Sequence, residues 1–175
     1  MREYETRASR IRLAIFDVDG VLTDGSLFLG DDGQEYKAFN SRDGLGMKLL
    51  QRSGVQIGII TGRTSDVVRI RMESLGIEHV YQGQRFKVPA FEEMRDKLGL
   101  IDEQIAYIGD DVVDLPVMRR VGLAIAVQNA HDRVKEEAHW QTRATGGHGA
   151  AREVCEMLMT AQGTLDTTLE HYLSP

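Results

Sequence analysis

The chain has 175 residues, 42% of them hydrophobic and 27% charged, with a formal net charge of −6 and a single cysteine, Cys155. That size fits one domain with one sizeable core, expected to span residues 1–175. The acidic balance argues against nucleic acid as a partner, and one cysteine excludes an internal disulfide. No apolar run approaches the ~18 residues of a membrane span, and the polar start, Met1 to Arg10, lacks the apolar centre of a signal peptide. A cytoplasmic protein without membrane contact is expected.

Short β-branched runs alternate with helical patterns along the chain. Strands are predicted at Leu13–Phe16, Val55–Ile60, His79–Tyr81, Ile105–Ile108 and Leu123–Ala126. Helices are predicted between them at Leu45–Arg52, Ser65–Leu75, Val88–Leu98 and Val112–Arg120, then at Asn129–Ala138 and Ala150–Ala161. Such alternation predicts an α/β fold, a doubly wound Rossmann-like parallel sheet covered on both faces. The stretch of about residues 26–39 breaks the rhythm. Ser26–Leu29 and Glu35–Phe39 read as two strands joined by Gly30-Asp31-Asp32-Gly33, a β-hairpin inserted after the first strand. From about residue 163 the tail reads as a short helix or loose chain. Cys155 falls within an apolar helical pattern and reads as a small core residue.

In open α/β sheets, ligands bind beyond the carboxyl ends of the strands, and here those ends are polar. The first strand runs into Asp17-Val18-Asp19-Gly20, the second ends at Thr61-Gly62-Arg63, and the fourth ends at Gly109-Asp110-Asp111, followed by Asp114. Lys87 opens the helix after the third strand. Asp17 and Asp110 could share magnesium, a hard cation that takes carboxylate, water and phosphate oxygens. The metal, Lys87 and Thr61 could hold a phosphoryl group for attack by Asp17, with Asp19 as proton donor and acceptor. Taken singly, each residue has a plainer reading. An Asp at a strand end commonly caps a turn or helix, and a lone Lys is commonly solvated. The force lies in four elements appearing in order.

That order resembles the haloacid dehalogenase superfamily of phosphohydrolases. Its Asp-x-Asp-Gly motif is matched by Asp17 to Gly20, its Ser or Thr by Thr61, its Lys by Lys87, and its acidic motif by Gly109-Asp110-Asp111 with Asp114. The resemblance implies a nucleophilic Asp17 and metal ligands Asp17, the Asp19 carbonyl and Asp110. Asp111 and Asp114 would orient Lys87 or the metal's waters. More closely, Asp17 to Gly25, the hairpin, Thr61-Gly62-Arg63, Tyr81 to Gln84, Tyr107 to Asp111 and Gly146-Gly147-His148-Gly149-Ala150 resemble the 3-deoxy-D-manno-octulosonate (Kdo) 8-phosphate phosphatases. The similarity covers roughly Ile11 to Asp166. His148 stands where many of that family have Arg, and Arg85-Phe86 before Lys87 is a departure.

The family resemblance implies a capless, magnesium-dependent enzyme that releases phosphate from a sugar acid phosphate in lipopolysaccharide precursor synthesis. It also implies a homotetramer assembled through the hairpins, with the late glycine segment reaching an adjacent subunit's site. Asp19, Gly62, Arg63, Arg71, Lys87 and His148 are the candidate substrate contacts. Arg63 and Arg71 are candidates for the sugar carboxylate, because guanidinium suits bidentate recognition; for Arg71 a solvated helix face is the plainer reading. Three other readings stand beside this one, the least favoured being a generic nucleotidase, for which the sequence offers no aromatic pair placed to sandwich a base. A sister family acts on a nine-carbon sugar acid phosphate but tends to have Glu where Arg63 stands. A non-catalytic oligomerisation domain would not need every catalytic position filled.

Overall fold

The computed structural model describes residues 2–173. In chain order its elements are α1 (Glu3–Ala8), β1 (Leu13–Phe16), β2 (Phe28–Leu29), β3 (Glu35–Tyr36), α2 (Ser41–Arg52), β4 (Gln56–Ile60), α3 (Asp66–Ser74), β5 (His79–Tyr81) and α4 (Val88–Lys97). The second half comprises β6 (Ile105–Gly109), α5 (Leu115–Met118), β7 (Leu123–Ala126), α6 (Asp132–Glu137), β8 (Trp140–Gln141), α7 (Ala150–Ala161) and α8 (Leu165–Leu173). Six strands form one parallel sheet in the order β5-β4-β1-β6-β7-β8. The predicted α/β architecture is therefore present, with one more strand than expected.

β1 is the axis of the sheet. All four of its residues are buried, and it pairs with β4 on one side and β6 on the other, Phe16 lying opposite Ile59 and Ile108. A strand apolar on both faces is the signature of a sheet covered by helices. On one side α7 packs on α1 and α2, and elsewhere α5 packs between α4 and α6. The chain moves outward from β1 to β4 and β5, then returns to β6, so the topological switch falls at β1. The three strand ends that meet there carry Asp17, Thr61 and Asp110.

Three predicted helices differ from what formed; that expected at Asn129–Ala138 begins only at Asp132, after a cap by the His131 ring, which accepts from the Arg133 amide. α2 starts at Ser41 rather than Leu45, because the Asn40 side chain accepts hydrogen bonds from the Arg42 and Asp43 amides and caps the first turn. The Val112–Arg120 stretch splits into a 3₁₀ turn, Val112–Asp114, and the short α5, whose first turn accommodates Pro116. The tail is helical in α8. The β2–β3 hairpin stands apart from the main sheet, with Phe28 opposite Tyr36 and Leu29 opposite Glu35. Leu27, Phe28, Leu29 and Tyr36 are all exposed, while Phe39 packs against the core. Among the described residues, no helix is long and apolar enough to cross a membrane.

Candidate active site

Asp17 continues the sheet one residue past β1, its amide donating to the Ile108 carbonyl at 3.1 Å. The backbone ladder thus fixes its side chain at the mouth of the sheet, where it is 6% exposed. One carboxylate oxygen, Oδ1, accepts the Val18 amide at 2.6 Å, and the other lies 2.6 Å from Lys87 Nζ. Lys87 is held by a second carboxylate, with Asp114 Oδ1 at 2.7 Å, and its Nζ lies 3.2 Å from the Tyr107 hydroxyl. Tyr107 in turn donates to Asp114 Oδ1 at 2.7 Å. Asp114 Oδ2 accepts the amides of Asp110 and Asp111 at 3.0 and 3.2 Å. Asp114 is fully buried and engaged by four donors, so it orients the others.

Burial raises the Asp17 carboxyl to about 6, helped by the Asp114 charge and opposed by Lys87. Burial raises Asp110 to about 8, with Asp114, Asp17 and Asp111 adding to it. Burial works against the Lys87 ammonium, but Asp114 and Asp17 outweigh it and hold its pKa above the ordinary lysine value. These shifts describe a buried cluster with a surplus of negative charge.

The cluster fits a magnesium ion. Oxygens of Asp17, Asp110 and Asp114 lie within 4.8 Å of one another. The commitments of Asp114 leave Asp17 and Asp110 as the carboxylate ligands, all hard oxygen donors. The Asp19 carbonyl accepts no hydrogen bond among the described residues and is available as a third. Gly20 makes this approach possible: its φ is +86°, and a β-carbon there would overlap the Asp110 carboxylate.

The cluster floors a cavity of about 590 Å³, within the range of small-molecule sites. Asp19, Thr61, Gly62, Arg63 and Arg85 line it as well. Thr61 is buried, its amide tied to the Tyr81 carbonyl and its carbonyl to the Gln84 amide, and its hydroxyl is left without a partner among the described residues. Arg63 is in ion-pair contact with Glu35 of the hairpin at 3.0 Å.

Two expected sugar contacts are not brought here within this chain. The Arg71 guanidinium lies over the Phe39 ring at 5.8 Å and 3.5 Å from the Asn40 carbonyl. Arg63 precedes the Ser65 cap of α3, so the two arginines share no helix face. His148 is exposed in the turn before α7, with its Nδ1 3.0 Å from the Gly146 carbonyl. The glycine segment expected to reach a neighbouring subunit packs on its own chain. The Gly147 amide donates to the Val21 carbonyl at 2.9 Å, and a β-carbon on Gly146 would overlap the Gly20 carbonyl. Tyr107 and Lys37 reach this site although neither was named as a site residue. Tyr107 is a polar ring in an otherwise apolar buried strand, a signal that the sequence does contain.

Residues 77–154 match the haloacid dehalogenase-like hydrolases. The chain is 49% identical over 160 residues to the 3-deoxy-D-manno-octulosonate 8-phosphate phosphatase KdsC of Escherichia coli K12, covering 91% of this chain and 85% of that protein. It belongs to the Kdo 8-phosphate phosphatase family. The phosphatase of that name from Yersinia pestis has a crystal structure that superposes with a TM-score of 0.92 at 48% identity, over 93% of this chain and 88% of that one. The corresponding protein of Moraxella catarrhalis superposes at 0.96 with 41% identity over 98% and 99% of the two chains. That structure contains a magnesium ion, a phosphate ion and a Kdo molecule.

Proposed function

We propose that this protein hydrolyses Kdo 8-phosphate to Kdo and inorganic phosphate, supplying Kdo for lipopolysaccharide synthesis. The observation that carries the chemistry is the buried Asp17 carboxylate, gripped by Lys87 beside Asp110 at the meeting point of three strand ends. Asp17 attacks phosphorus and forms an aspartyl-phosphate. Asp19, at the cavity wall, gives a proton to the departing sugar oxygen as the phosphorus–oxygen bond breaks. It then takes a proton from the water that cleaves the aspartyl-phosphate. Lys87 and the Thr61 hydroxyl hold phosphoryl oxygens, with Asp114 and Tyr107 fixing Lys87. Asp17, Asp110 and the Asp19 carbonyl hold magnesium, which when bound neutralises charge on the phosphoryl group.

For the sugar, Arg63 at the cavity wall supplies a guanidinium for the carboxylate. A homotetramer is the proposed assembly, supported by the four exposed apolar side chains on a hairpin too short to be stable alone. Arg71 and His148 remain candidates for sugar contacts only across such an interface.

The test is phosphate release from Kdo 8-phosphate beside a panel of sugar and nucleotide monophosphates, with and without magnesium. Preference for Kdo 8-phosphate and loss of activity with a chelator support the reading. Full activity after exhaustive metal removal, or a preference for nucleotides, would refute it.

A further inference from the structure

The hairpin touches the site through two side chains, Lys37 on Asp19 and Glu35 on Arg63. Glu35 and Lys37, two residues apart on an extended chain, face the same way, while Tyr36 between them is exposed. The Lys37 side chain is inaccessible to solvent, and its Nζ lies 2.5 Å from Asp19 Oδ1 and 3.2 Å from Glu35 Oε1. That same Glu35 oxygen is 3.0 Å from Arg63. Asp19 is thus joined through Lys37 and Glu35 to Arg63, which also lines the cavity.

We propose that Lys37 is a positioning residue that fixes the Asp19 carboxylate for proton exchange, and that Glu35 fixes Lys37. The proposal rests on the reading of Asp19 as the proton donor and acceptor. Asp19 sits in the wide turn after β1, and its side chain retains 22% exposure. Without a tether its carboxylate would sample several rotamers, and only some of them aim at the departing oxygen. Lys37 holds Oδ1, which leaves Oδ2, without a partner among the described residues, as the oxygen that carries the proton. An ammonium on a stem buried by the hairpin can hold one carboxylate oxygen without crowding the other. The arrangement gives the hairpin insertion a catalytic purpose beyond assembly: moving it withdraws Lys37 from Asp19.

The experiment is a double-mutant cycle on kcat/KM for Kdo 8-phosphate, using wild type, Lys37→Met, Asp19→Ala and the double variant. Lys37→Met is expected to lose about 10- to 100-fold, the scale on which a misplacement of ~1 Å is felt. In the Asp19→Ala background the same change should alter the rate by less than about twofold, because the residue it acts through is gone. With p-nitrophenyl phosphate, whose leaving group needs little help from a proton donor, the Lys37→Met loss should shrink. Lys37→Arg should recover most of the rate, and Lys37→Gln replaces the Met variant if that one loses its cooperative melting. Equal losses in both Asp19 backgrounds, or on both substrates, would overturn the proposal in favour of a structural or direct binding role. A wild type inactive on both substrates would overturn the underlying reading of the site as well, and so be told apart from additive variants of an active enzyme.

Discussion

Asp114→Asn tests the claim that the site is organised by a carboxylate that touches no substrate. The wild-type side chain is fully buried and accepts from Lys87, Tyr107 and the Asp110 and Asp111 amides. An amide has one acceptor oxygen in place of two, so at least one pair of donors loses its partner. Hydrogen bonds to a charged group contribute about 1.5–3 kcal/mol each, and breaking a buried ion pair typically costs about 3–5 kcal/mol. One offset works the other way, because removing the Asp114 charge relieves its repulsion of Asp17 and Asp110. We expect a net loss of about 2–4 kcal/mol, read as a drop of about 5–15 °C in Tm for a domain of this size. Turnover should fall at least about 100-fold, since Lys87 loses the partner that aims it. Thermal melting and initial rates of phosphate release measure both. Tyr107→Phe, which removes one of the four donors to the Asp114 carboxylate, should cost about 1.5–3 kcal/mol. An Asp114→Asn variant with wild-type Tm and turnover would contradict this organising role for Asp114.

The raised carboxyls give a signed pH prediction for the metal-free protein. Folded Asp17 and Asp110 bind protons more tightly than their unfolded forms. Their contribution to stability is therefore present at pH below the ordinary carboxylate value and is lost as pH rises through about 6 and then about 8. Because magnesium must displace those protons, the rise in Tm that it produces should be larger near pH 8 than near pH 6; an equal or reversed increment would contradict the assignment of these ligands. Leu29→Asp, placed on the exposed hairpin, should lower the solution mass measured by light scattering and keep the far-UV circular dichroism unchanged. A fully active monomeric wild type would end the idea that assembly completes the site. Arg63→Met should raise KM for Kdo 8-phosphate by about tenfold or more, as one charged hydrogen bond is lost, and change a simple phosphate ester far less. Methionine is preferred to glutamate there, because a Glu would also face Glu35, the present partner of Arg63.

Much of this was legible in the sequence where local pattern and chemistry coincide. β1 is a buried apolar run that ends abruptly in Asp17-Val18-Asp19-Gly20, and the same kind of polar ending recurs at the neighbouring strands. Thr61 and Asp110 could be placed by the same logic. β8 was not legible, because a two-residue strand, Trp140–Gln141, carries no alternation to read. The start of α2 was missed because Gly44 interrupts its apolar period, although tertiary contact keeps it helical. Arg152 of α7 packs against Gly46, and a side chain there would collide with it. Helical spacing could not place Arg71 on one face with Arg63, because Arg63 precedes the Ser65 cap of α3. Lys37 could not be read from spacing at all. It lies 18 residues from Asp19, and only the fold-back of the hairpin brings the two together.

The proposed chemistry turns on an Asp17 carboxylate oxygen as the nucleophile toward phosphorus. The most direct measurement is mass spectrometry of the enzyme quenched in acid during turnover of Kdo 8-phosphate with magnesium, followed by peptide mapping. The account predicts a gain of one phosphoryl group on the peptide containing Asp17, absent in Asp17→Asn, which should also lose more than about 99% of turnover, ~2.7 kcal/mol or more of barrier. Phosphorylation of another residue, or an Asp17→Asn variant that keeps a tenth or more of wild-type activity, less than ~1.4 kcal/mol at stake, would contradict it.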